Sequence, residues 1–428
     1  MRAWPVLLLA ALAATACGSS DNEPTSPHDS GPRPDAVAHV DASRPGASKD
    51  AARDSAKDSA PTDGGAHDSA AVDAGPKDTG VDVNPDAPPF TACTVGGDGS
   101  YVTTPFQTLS EYCLAAIVDD AIVFAPGVVP YDLNTPLFSD YAIKVRGVWL
   151  PPGRHATYDP TLAFTFPKGT ILTKSFGFAD DMRKANPVVA WVETRLLINT
   201  GSDGWETYTY IWDSAGKVAT LSYSGEVRPT SWIDADGGVV DASYLVPSFG
   251  QCKECHNLSG EVTPIGPKAR ELNKLFAYAT GDENELAHWA RVGILDGAPD
   301  AAAAPVLPVW NDPTTGTVDQ RARAYLEANC AHCHNADGFA ASTGLFLYAS
   351  ETDPTTYGIC KPPVAAGPAT GGDSYDIVPE EPDASVMAYR LASTTPGIMM
   401  PLIGRSVVDV QGLALIEGWI SGIDGGCQ

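Results

Sequence analysis

The sequence predicts a multidomain chain: a disordered tether, then an antiparallel β domain, then two mainly α-helical modules. Three observations carry this. Residues 18–90 are built from Asp, Ala, Ser, Pro and Gly with almost no large apolar side chain, so they cannot bury enough surface to fold. "AWVETRLLIN" (190–199), "ETYTYIWDSA" (206–215) and "VATLSYSGEV" (218–227) are rich in aromatic and β-branched residues and are separated by turn-forming "TGSDG" and "SAG", the pattern of antiparallel hairpins. Beyond Pro247 the pattern changes to short segments with helical spacing, such as "GPKARELNKLFAY", "DENELAHWARVGIL" and "TVDQRARAYLEAN".

The N-terminal stretch "MRAWPVLLLAALAATAC" pairs a basic Arg2 with an apolar run and ends in small residues before Cys17. The run is shorter than the roughly 20 residues needed to span a bilayer, so 1–17 reads as an export signal. Its end resembles a lipobox, with Cys17 becoming the lipid-bearing N-terminus; cleavage after Ala14-Thr15-Ala16 with simple secretion is the alternative. A membrane contact through that lipid, and a location in the cell envelope at the periplasm or outer membrane surface, follow as expectations. A flexible coil over 18–90 would have an end-to-end distance on the order of 50 Å, enough to hold a folded body clear of a membrane. His28, His39 and His67 lie scattered in this tether and are read as solvated.

With 27 Lys and Arg against 53 Asp and Glu, the formal charge is −26. That argues against nucleic acid as a partner, because phosphate binding rests on cationic side chains. Basic redox partners or cations suit this charge better.

The β domain is expected over 91–246. "YAIKVRGVWLPPGRH" reads as a further strand; Glu193 with Arg195 as a surface pair; Trp205, Tyr208, Tyr210 and Trp212 as sheet packing rather than a carbohydrate platform. The two following modules are expected over 247–317 and 318–428, joined by the Pro/Ala stretch "DGAPDAAAAPVLPVWNDPTTG".

Each module carries one CxxCH motif. "GQCKECHNLSG" holds Cys252, Cys255 and His256; "EANCAHCHNAD" holds Cys330, Cys333 and His334. Two thiols separated by two residues on a helical turn reach the two vinyl groups on one porphyrin edge, and the histidine that follows is carried under the ring to bind iron. CxxC also chelates zinc or serves thioredoxin-like redox pairs. The histidine that directly follows each pair, the missing βαβ pattern and the export signal all favour two covalently bound haem c groups in cytochrome c-like modules.

Nine cysteines are present. With Cys17 and the four motif thiols set aside, Cys93, Cys113, Cys360 and Cys427 remain. In an exported chain these are expected to form disulfides. Proximity favours Cys93 with Cys113 and Cys360 with Cys427 among the three possible pairings.

The iron atoms also need distal partners. "TTPGIMMPLIGR" offers Met399 and Met400 in a Gly/Pro loop before the helical run "VVDVQGLALIEGWISGI". Met400 is assigned as the sixth ligand of the second haem, with Met399 as fallback; His/Met ligation raises the potential. Trp419 of that last helix is placed near the second haem or in its core. No methionine lies between His256 and the second motif. His288 is the candidate partner there, with Met182, His155 or an open iron as alternatives.

The stretches "YDLNTPLFSDYAIKVRGVWLP", "VETRLLINTGSDGWETYTYIW", "QCKECHNLSGEVTPIGPKARELN", "YLEANCAHCHNADG" and "GICKPPVAAG" resemble a family of bacterial diheme c-type cytochromes with an N-terminal β-rich domain and two C-terminal haem modules. The resemblance covers about 100–425. It implies haem on both motifs and supports Met400. Glu380 departs from it, standing where related modules usually have glycine.

Three functions follow as expectations. The first is a tethered electron carrier, its haems exchanging electrons with redox partner proteins of unknown identity. The second resembles diheme peroxidases, with an open first haem; the module shows no distal acid/base pair beyond Glu261 and Glu271, which read as surface residues. The third is a module binding a glycan or envelope partner, with accessory haems.

Overall fold

The computed structural model describes Phe90 and residues 93–201, 204–364 and 366–428. Cys17, the signal segment and the tether up to residue 89 lie outside the described residues.

The β region opens with a hairpin of β1 (Ala115–Val118) and β2 (Ala121–Phe124), turned through Asp119 and Asp120 at positive φ, a conformation aspartate tolerates better than most residues. The main element is an antiparallel sheet of six strands, β3 (Val129–Tyr131), β4 (Ile143–Trp149), β6 (Ile171–Ala179), β7 (Val189–Gly201), β8 (Gly204–Trp212) and β9 (Ala219–Ser222), in that spatial order. β5 (Ala156–Thr157) stands outside it.

Alternation along these strands sorts side chains onto two faces. One face packs Val145, Trp149, Ile171, Leu196, Ile198, Tyr210 and Trp212 against Tyr101, Leu109, Tyr112 and the first hairpin. The other face carries two apolar clusters. At one end Phe176 and Phe178 meet Trp232 and Tyr244 of the hairpin β10 (Glu226–Ile233) and β11 (Val239–Val246). At the other end Val148, Leu150 and Leu172 are covered by later parts of the chain.

The sequence expectation of two mainly α-helical cytochrome c-like modules is corrected here. The α-helices of the described residues are six and short: α1 (Phe249–Cys255), α2 (Ala269–Leu272), α3 (Glu285–Arg291), α4 (Val318–Leu326), α5 (Val386–Ala392) and α6 (Val410–Ser421), the last being the longest at 12 residues. Strand pairs interrupt the first three: β12 (Asn257–Leu258) with β13 (Glu261–Val262), and β14 (Leu275–Tyr278) with β15 (Gly281–Asn284), while β16 (Leu295–Asp296) pairs in parallel with β5.

The physical reason is visible in "RELNKLFAY". Helix α2 stops at Asn273, and Phe276 and Tyr278, residues that suit a pleated surface, continue as β14. The next helix cannot start until Asn284, whose side chain accepts the Leu286 and Ala287 amides. Helix propensity was overridden by packing: Ala269, Leu272, Leu286, Trp289 and Leu295 share one core with Val148, Phe164, Phe166 and Leu172 of the β region. Trp289 is fully buried there, with its ring 5.5 Å from that of Tyr131 in an edge-to-face contact; burial of one such side chain contributes about 1.5–3 kcal/mol.

A further core lies among α4, α5 and α6, formed by Tyr325, Leu326, Leu347, Tyr357, Ile377, Leu391, Ile416, Trp419 and Ile420. Gly412 allows the closest approach between α6 and α4, because a Cβ there would run into the Tyr325 ring. The Tyr325 hydroxyl donates to Asp409 at 3.0 Å, and the Trp419 indole donates to Asp319 at 2.9 Å.

Candidate cofactor site

The first motif sits on α1. Ser248 and Gln251 cap this helix reciprocally, and the chain leaves the helix at His256, whose amide donates to the Cys252 carbonyl at 3.0 Å. The hairpin that follows turns through Ser259 and Gly260, both at positive φ, and returns Thr263 to the histidine. His256 Nδ1 lies 3.0 Å from the Thr263 carbonyl oxygen. With the Nδ1 proton donated there, Nε2 presents its lone pair, the arrangement that orients a metal-binding imidazole. Burial pushes His256 down to about 4, so the ring is neutral at physiological pH. Cys252 is buried and its thiol is pushed up by burial.

The second motif follows α4, which Thr317 and Gln320 cap in the same reciprocal way. The helix widens into a π-turn over Glu327–Ala331, a feature common at functional sites, and this turn presents Cys330. Asn329 fixes the turn from both sides: its Oδ1 accepts the Phe138 amide at 2.7 Å and its Nδ2 donates to the Tyr325 carbonyl at 2.9 Å. Asn335 Nδ2 donates to the Ala331 carbonyl at 2.8 Å. Burial holds His334 down at about 4 and raises Cys330 to about 12.

Cys330, Cys333 and His334 open into a cleft that is lined from both sides by later parts of the chain, Val386 to Ile403 among them. Its walls are mostly apolar, with Leu326, Phe339, Leu345, Leu347, Val386 and Leu391, and Met400 lines it as well. Met399 is not among the lining residues. The Met400 loop is held by Arg405, only 5 % exposed, whose guanidinium donates to the carbonyls of Met400, Val407, Arg390, Leu391 and Ser393 at 2.7–3.2 Å. Asp140, from the β region, accepts the Ser406 and Val407 amides at 2.6 and 3.0 Å. Neither Arg405 nor Asp140 stands out in the sequence, because their role depends on backbone groups that only the fold brings to them.

The two motifs adjoin. Ser259 donates its amide to Asp337 O at 2.8 Å, and Cys333 Sγ is 3.4 Å from the Glu254 carbonyl. The sulfurs of Cys255 and Cys333 and a ring nitrogen of His332 all lie within 4.8 Å of one another. The neighbouring Cys333 thiol and His332 ring hold the Cys255 thiol below the usual range for cysteine. His332 Nδ1 is buried with no hydrogen-bond partner.

His288 is brought to neither motif. Its ring stacks on Tyr278 at 3.4 Å and its Nδ1 is 2.7 Å from Glu283, which also binds Arg291. His155 pairs with Asp296 at 3.0 Å near the surface, and Met182 packs beside the Phe178–Trp232 cluster. Disulfides join Cys93 to Cys113 and Cys360 to Cys427, with Cα separations of 5.8 and 5.2 Å; Cys17 is outside the described residues.

Two side chains expected at the surface are buried. Glu193 is fully buried beneath Arg195, and the Tyr244 hydroxyl donates to its Oε1 at 2.6 Å. Glu271 is 7 % exposed and accepts the Thr135 amide at 3.0 Å. Glu261, by contrast, is exposed. Glu380 holds φ at +66°, a backbone conformation that favours glycine.

No family model, no curated protein and no solved structure matches this chain. The resemblance to the diheme c-type cytochrome family is therefore corrected: no match supports it, and the helical modules on which it depended give way to short helices and hairpins in a β-rich fold.

Proposed function

We propose that the chain carries two covalently attached haem groups, one on Cys252 and Cys255 with His256 and one on Cys330 and Cys333 with His334 and Met400, and that it transfers electrons between them and redox partner proteins in the cell envelope. The observation that supports this most is the apolar cleft bounded by Cys330, Cys333, His334 and Met400. Two thiols, a neutral imidazole and a thioether lining one cavity are the donor set that a covalently held iron porphyrin requires.

When bound, haem supplies a one-electron iron couple. The protein's own part is to bind and shield it. The thiols fix one porphyrin edge, Thr263 holds His256 in the tautomer that leaves Nε2 available, and Arg405 holds the Met400 loop against the cleft. Leu326, Leu345, Leu347 and Leu391 exclude water, which raises the potential of an iron centre. Export and a lipid on Cys17 rest on the N-terminal sequence.

A glycan platform has less support, since Tyr210 and Trp212 are buried in the sheet core and Trp205 and Tyr208 pack against it. The adjoining Cys255, His332 and Cys333 favour a second reading, a metal centre of zinc type with two thiolates and one imidazole. The two readings exclude each other, because a thiol bonded to a porphyrin cannot also bind zinc as a thiolate.

The test is the mass of the denatured, exported chain together with its metal content. Two porphyrins per chain, falling to one in Cys252→Ser/Cys255→Ser and in Cys330→Ser/Cys333→Ser, is the expected result. One zinc and no covalent porphyrin would replace this reading with the second.

A further inference from the structure

Each motif turns one of its two thiols toward the other motif. Cys252 is buried where α1 lies against β8, and Cys330 packs against the core shared by α4, α5 and α6. The second thiols, Cys255 and Cys333, meet instead: their sulfurs and a ring nitrogen of His332 all lie within 4.8 Å of one another. Side-chain atoms in contact stand about 4.0–4.5 Å apart, so no chain segment fits between the two sulfurs.

This approach is built from fixed turns. In the first motif the Gly260 amide donates to Asn257 Oδ1 at 2.9 Å and closes the β12–β13 turn. In the second, Asn335 donates to the Ala331 carbonyl at 2.8 Å and accepts the Asp337 amide at 2.9 Å. Gly338 is required beside it, because a Cβ there would run into the Cys333 carbonyl. Ser259 then clips one turn to the other: its amide donates to the Asp337 carbonyl at 2.8 Å and its hydroxyl to Asp337 Oδ1 at 3.1 Å.

The apolar cleft of the second motif reaches across this junction. Glu254 and Cys255 of the first motif line it together with Cys333 and His334, so an occupant of the cleft touches the first attachment site. His332 stands at the same place, 9 % exposed, with its Nδ1 buried and unpartnered. We propose that Cys255 and Cys333 hold the two porphyrins edge against edge across this junction, so that the pair is one coupled redox unit and electrons pass directly from one site to the other.

This rests on the haem reading above and adds the route of transfer; the experiment separates the two. The mass and zinc content of the full-length exported chain are read first. Fewer than two porphyrins, with zinc or a Cys255–Cys333 disulfide in their place, sinks the haem reading and this proposal with it. With two porphyrins present, circular dichroism is measured in the Soret region, where strong transitions of two rings in contact mix and give a pair of bands of opposite sign. The expected result is such a pair in the unaltered protein and its loss in Cys252→Ser/Cys255→Ser and in Cys330→Ser/Cys333→Ser. Electron paramagnetic resonance of the unaltered protein needs no variant to fold. Its ferric signals should be broadened when both irons are oxidised, and the remaining signal should sharpen when one is reduced to its diamagnetic ferrous state. A dichroism spectrum equal to the sum of the two single-haem spectra, or ferric signals whose width ignores the state of the other iron, overturns the proposal and leaves the haem reading standing.

Discussion

Replacing Arg405 by methionine tests the idea that one buried cation holds the Met400 loop. The guanidinium donates to five carbonyls, of Met400, Val407, Arg390, Leu391 and Ser393, and burial disfavours its charged form. Each charge-assisted bond contributes about 1.5–3 kcal/mol net. Their sum overstates the effect, because all five share a single cation whose desolvation offsets much of the gain. Methionine fills similar volume but satisfies none of the carbonyls, so a destabilisation of about 3–5 kcal/mol is expected. Lysine, with three donors, should recover roughly half of it. Two assays read the outcome. Denaturant unfolding reports the stability, and carbon monoxide binding to the reduced protein reports whether the second iron keeps its methionine. The expected result for Arg405→Met is a lowered midpoint together with one more carbon monoxide bound per chain than in the unaltered protein. An unchanged midpoint and an unreactive second haem would refute the assigned role of Arg405.

The other predictions concern single sites. Met400→Ala should open the second iron to carbon monoxide while Met399→Ala should not, since Met400 alone of the two lines the cleft; visible spectroscopy of the reduced protein decides this. Glu271 is pushed up to about 7 by burial. The folded state therefore binds a proton more tightly than the unfolded state, and this contribution is full below about 4.5 and lost as the pH rises to about 7, on the order of 3 kcal/mol in all. Glu271→Gln, keeping an acceptor for the Thr135 amide, should flatten that slope in a pH series of unfolding midpoints. Glu380→Gly should raise stability by about 0.5–1 kcal/mol, because relief of the left-handed backbone at +66° outweighs the entropy that glycine loses on folding; thermal unfolding checks it.

Strands were legible in this sequence where one face of a segment is apolar. β7 spans Val189–Gly201 and β8 spans Gly204–Trp212, covering "AWVETRLLIN" and much of "ETYTYIWDSA", because alternation in a half-buried strand is a local signal. The helical segments misled because their apolar residues serve a core shared with the sheet. Leu286 and Trp289 have helical spacing and do lie on α3, but what they pack against, Phe164 and Tyr131, is more than a hundred positions away. Cys330, Cys333, His334 and Met400 stood out in the sequence, and they do line one cleft. The supports of the motifs did not: Arg405, Asp140 and Thr263 act through backbone carbonyls and amides, which carry no sequence identity.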